Sequence, residues 1–93
     1  MRFGRLTITA KLHMISSLKM KRSLLKHVLS RLRKDYNISI IESGLHDSKD
    51  WTELTVSIVA LASGQIDSIF ESIERDVSTI NGLEVVSGEK ETW

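Results

Sequence analysis

The hydrophobic period switches back and forth along this chain, and that alternation limits the fold more than any single residue does. Between residues 4 and 14 the period is two: Leu6, Ile8, Ala10, Leu12 and Met14 fall on one face, and Arg5, Thr7, Thr9, Lys11 and His13 on the other. Alternation of this kind, with β-branched residues, predicts a half-buried strand. From Leu18 to about Tyr36 the period lengthens to that of a helix, with Leu18, Leu25, Val28, Leu29, Leu32 and Tyr36 in one apolar stripe. Ser16-Ser17 supplies an N-cap for it. Ile38 to Ser43 reads as a second strand with Ile38 and Ile40 on one face, and Gly44 to Lys49 as a polar loop. The third strand turns Leu54, Val56, Ile58, Ala60 and Ala62 inward, and Ser63-Gly64 breaks it. Ile66, Ile69, Phe70, Ile73 and Val77 are spaced as a second amphipathic helix, Asn81-Gly82 marks a turn, and Leu83 to about Lys90 reads as a last strand interrupted by Gly88.

The order is βαββαβ. It predicts an α+β, ferredoxin-like fold: a four-stranded antiparallel sheet in order 4-1-3-2 with both helices on the Leu6/Ile8 face. A chain of 93 residues makes one domain, 1–93, too small for a deep catalytic cleft. It has no cysteine, which excludes disulfides and thiolate metal sites. No apolar run approaches a membrane span, and the chain opens on a strand pattern rather than a leader, so the expected location is the cytoplasm, away from membranes.

A net charge of +1 conceals a division: residues 1–34 hold ten Lys or Arg and no acid, and all twelve acids follow. Seven of those cations, Lys19, Lys21, Arg22, Lys26, Arg31, Arg33 and Lys34, belong to the first helix. Lys19, Arg22, Lys26 and Arg33 fall along one flank of its apolar stripe. Cations in the first turns oppose the helix dipole, so something negative is expected against them. The topology brings the strand ends, the helix start and the 44–51 loop together. His13, Ser17, Glu42 and Trp51 are therefore expected to cluster there as an anion site. Two sources of countercharge stay open: Glu42 with Asp47 and Asp50 from within the chain, or an external phosphate or carboxylate. His46-Asp47 lacks a third ligand at convincing spacing, so no metal site is expected, and no cofactor motif is present.

His13, then Ser17-Leu18-Lys19-x-Lys21-Arg22, then Tyr36-Asn37-Ile38-Ser39-Ile40-x-Glu42 and Asp50-Trp51 together resemble the bacterial YlxP-like family, a domain of unknown function. The likeness covers nearly the whole chain, and the S-L-K-x-K-R segment is its most specific part. The chain departs from the family pattern at Ser16, where a proline is common, and at Met20, where a glutamate is. The resemblance implies a ferredoxin-like domain able to form a homodimer. Its genes often neighbour those of translation-initiation and ribosome-maturation factors, which implies a ribosomal association.

Two functions follow as expectations. The first is a non-enzymatic module that binds RNA, rRNA or a ribosomal particle, through the basic face of the helix spanning 17–36. The second is a protein–protein or dimerisation module without nucleic acid, favoured by outward Val59 and Leu61. No nucleophile triad, phosphate loop or metal motif supports catalysis, although His13 and Glu42 at the strand ends would be the acid–base pair of a small enzyme.

Overall fold

The computed structural model describes residues 1–93. Its elements run β1 (Arg2–Leu12), α1 (Leu18–Asp35), β2 (Ser39–Gly44), β3 (Trp51–Ala60), α2 (Ser63–Ser78) and β4 (Leu83–Thr92). The sheet has four strands in the order β2-β3-β1-β4, and every neighbouring pair is antiparallel. This is the expected order read from the other edge, so the fold is ferredoxin-like α+β.

Registry follows from which side chains need burial. Leu6, Ile8, Ala10 and Leu12 of β1 sit beside Leu54, Val56 and Ile58 of β3 on one face. Helix α1 adds Leu25, Val28 and Leu32, α2 adds Ile66, Phe70, Ile73 and Val77, and Ile40 of β2 and Leu83 of β4 complete a core of 16 buried apolar residues. A one-residue slip would turn every one of the strand residues outward, so burial fixes the pairing.

Several boundaries differ from the sequence reading, each for a local reason. Strand β1 ends at Leu12, and Met14 leaves the expected apolar face: it adopts φ 62° and is exposed. Strand β3 begins at Trp51, because the chain pairs with Lys11 as soon as the 45–50 loop closes. Ala62 is exposed as the N-cap of α2, and Ser63-Gly64 forms the first turn of that helix rather than a break. Strand β4 runs through Gly88, and the irregularity lies opposite Thr9/Ala10, where the register shifts. No helix is long and apolar enough to cross a membrane.

Candidate nucleic-acid interface

Helix α1 starts as its sequence dictates. The Ser17 hydroxyl accepts from the Met20 amide at 3.1 Å, and no acidic residue lies in the first turn. Its core side is formed by every third or fourth residue, and one of those positions holds Lys21 instead of an aliphatic.

Lys21 is 1% exposed. Its ammonium donates to the carbonyls of Leu45 at 2.7 Å, Ser48 at 2.5 Å and Trp51 at 2.8 Å, and stands 3.0 Å from Glu42 Oε2. The same carboxylate oxygen accepts from the Thr52 hydroxyl at 2.7 Å. A buried ammonium is tolerable only when its protons and charge are both satisfied, and here they are. The lysine closes the 45–51 loop in the way a bound cation would. It cannot also contact a polyanion, so Lys21 is removed from the expected nucleic-acid set.

The expected anion cluster does not assemble either. His13 Nε2 meets Glu84 Oε1 of β4 at 2.7 Å, Ser17 is occupied as the cap, and Glu42 is held by Lys21 and Thr52. The Trp51 ring is on the opposite face of the sheet from Glu42, with Lys11 Nζ 6.0 Å from its centroid. The residues converge on one end of the sheet, but the pleat divides them between its two faces.

The countercharge alternatives resolve residue by residue. Lys21 is neutralised internally by Glu42. Asp50 pairs with Lys49 at 3.2 Å, and neither Asp47 nor any acid of α2 forms an ion pair with α1. Arg31 faces Asp35 at 3.8 Å. Lys19, Arg22, Lys26, Arg33 and Lys34 are exposed and have no carboxylate within 4.0 Å.

Three of these line a groove between α1 and edge strand β2. Its walls are Arg22, Leu25, Lys26, Leu29, Ser30, Arg33 and Glu42, and its volume is about 450 Å³. Arg33 Nη2 donates to the Ile40 carbonyl at 2.7 Å, which fixes the guanidinium at the groove wall. His46 Nε2 lies 2.9 Å from the Glu42 carbonyl oxygen, so two outward carbonyls of β2 are met by side chains. That guards an edge otherwise open to strand addition. At the far end of α1, Tyr36 donates to Asp76 Oδ2 of α2; the bond to this carboxylate raises the phenol's pKa above its usual value.

Sequence reasoning placed Lys19, Arg22, Lys26 and Arg33 on one flank, and the structure keeps them there. It missed Lys21 as a core residue, although its spacing of three from Leu18 and four from Leu25 puts it on the apolar stripe. Thr52 and Ser30 carried no signal, since a lone hydroxyl in a strand or helix has no distinguishing spacing.

The chain is 36% identical over 52 residues to the uncharacterized protein YlxP of Bacillus subtilis (strain 168), a match spanning 56% of this chain and 54% of that one. Two solved structures align with the chain at low identity. One is the full extracellular region of zebrafish Gpr126/Adgrg6, at 13% identity and TM-score 0.46, covering 97% of this chain and 13% of that one. The other is LarC2, the C-terminal domain of a cyclometallase involved in synthesis of the NPN cofactor of lactate racemase, at 15% identity and TM-score 0.43, covering 100% of this chain and 56% of that one. Residues 3–90 match the family described as protein of unknown function DUF503, and the chain belongs to that family.

Proposed function

We propose that this domain is a non-enzymatic, cytoplasmic RNA-binding module, associated with rRNA or a ribosomal particle, that engages the phosphate backbone through α1. The observation that carries this reading is the set of five exposed α1 cations without a carboxylate partner. An acid three or four residues from a helix cation stabilises the helix, and here only Arg31 has one in contact. Backbone contact rather than base stacking is favoured because the centre of the open sheet face carries Thr7, Thr9, Thr55 and Ser57, while its rings stand at the two ends, Trp51 beside Lys11 at one and Phe3 beside Trp93 at the other. Filter binding to rRNA fragments at rising salt tests the reading. Binding should weaken steeply with salt and be lost in the double variant Lys26→Glu, Arg33→Glu. Affinity that survives this charge reversal overturns it.

A second reading rests on a different surface. Val59 of β3, Phe3 of β1 and Trp93, just past the end of β4, form a continuous row on the open sheet face and are 57%, 40% and 58% exposed. Such a row suits a second copy of the chain or another protein. Light scattering at micromolar concentration and low salt gives the mass; a monomer under those conditions counts against self-association.

A further inference from the structure

The groove between α1 and β2 is not uniformly basic: one carboxylate is built into its wall. Glu42 is 16% exposed on its side chain and lines the groove opposite Arg22, Lys26 and Arg33. A carboxylate beside a phosphate site is ordinarily repulsive, and its presence needs a reason. Its Oε2 is committed to Lys21 and Thr52, whereas Oε1 accepts no hydrogen bond within the chain. The buried Lys21 ammonium at 3.0 Å offsets the charge of Glu42, so the three groove cations keep their net attraction for an anion. What remains of Glu42, a residue of the groove wall, is an unpartnered acceptor oxygen with little net charge behind it.

A wall of this kind fits a ligand that carries negative oxygens and, a few ångströms away, a hydroxyl donor. We infer that the groove holds a ribose-phosphate unit of RNA, with Arg22, Lys26 and Arg33 on the phosphates and Glu42 Oε1 accepting from the 2′-hydroxyl. This rests on the backbone-binding reading above and adds to it a means of telling RNA from DNA. The 2′-hydroxyl is the group that separates the two at a given site. Two further features suit the assignment. Arg33 is anchored through Nη2 to Ile40, which limits the side chain's freedom and leaves its other N–H groups without a partner in the chain. The volume of about 450 Å³ is that of a small-ligand pocket and accommodates one nucleotide unit of a longer strand.

The test is made on the ligand, so the protein stays intact. One short hairpin is synthesised with ribose, 2′-deoxyribose and 2′-fluororibose. The fluoro form keeps the A-form duplex and removes only the donor. Affinities are measured by fluorescence anisotropy for the wild-type chain and for Lys26→Glu. The ribose hairpin should bind about tenfold tighter than the fluoro and deoxy forms, the worth of one hydrogen bond to a carboxylate. Lys26→Glu should weaken all three. The chemical-shift difference between the ribose- and fluoro-bound wild-type protein should centre on Glu42. Equal affinity for the ribose and fluoro hairpins, both weakened by Lys26→Glu, overturns the hydroxyl contact and leaves the backbone reading standing. So does a ribose preference whose shift differences centre away from Glu42. Binding of none of the three, or binding indifferent to Lys26→Glu, overturns both.

Discussion

Lys21 shows how one residue can be read correctly for charge and wrongly for place. Its ammonium has three protons and meets three carbonyls and a carboxylate, all within 3.0 Å. Removing it leaves the partly buried Glu42 without its partner and the loop carbonyls without their donor. Lys21→Met should therefore cost about 3–5 kcal/mol in urea denaturation, the usual cost of breaking a buried pair from one side. Lys21→Arg should also destabilise, because a planar guanidinium cannot replace a compact ammonium among oxygens that surround it. A near-native midpoint for Lys21→Arg would mean that charge alone holds the loop. Tyr36 makes a separate prediction through its bond to Asp76. The folded-state pKa is raised above the unfolded value, so the neutral phenol is favoured by folding. The associated stability is fully present below about pH 10, the ordinary tyrosine value, and is lost as pH rises through the folded-state pKa. Thermal melts between neutral pH and pH 11 should show a steeper alkaline decline for the wild-type chain than for Tyr36→Phe.

At the scale of elements, the close packing of α2 on β1 depends on Gly4. A Cβ placed there would lie 2.5 Å from Ile66 Cγ2 and 3.0 Å from Phe70 Cζ, both fully buried. Gly4→Ala should cost about 1–3 kcal/mol, as overpacking of a filled core does, measured by denaturant midpoint at unchanged slope. The same α2 stripe was legible from sequence, because Ile66, Phe70, Ile73 and Val77 repeat at three- and four-residue spacing. So were the strand order and the Ser17 cap, since alternation and capping chemistry are local. The ends of strands were less legible: Met14 continues the alternation of β1, yet its backbone turns away with φ 62°. The site was legible in half. The cations on the flank of α1 follow from helical spacing, whereas the groove needs β2 laid beside the helix, and the Lys21–Glu42 pair joins residues twenty-one positions apart. His13 and Trp51 fell short as site residues because sequence placed them near one sheet end without deciding which face each would take.

Over the whole molecule, a net charge of +1 is the sum of separated regions. Five of the nine Lys and Arg without a carboxylate partner lie along α1. Glu84, Glu89 and Glu91 lie along β4, at the other edge of the sheet. Attraction for a polyanion should therefore follow position and not the total. From Lys19 to Lys34 the helix rises about 22 Å at roughly 1.5 Å per residue, enough to track several phosphates. Each phosphate contact contributes about 0.7–0.9 to the slope of log affinity against log salt, and five contacts would give a slope near −4. Lys26→Glu and Lys90→Glu change the net charge equally, but Lys26 is in the α1 groove and Lys90 is an exposed residue of β4. Titrations of an rRNA hairpin at several salt concentrations should show Lys26→Glu reducing the slope by about 0.7–0.9 or more, with Lys90→Glu leaving it unchanged. Equal losses in the two variants would show that the protein binds through its overall charge, and the assignment of the interface to α1 would fail.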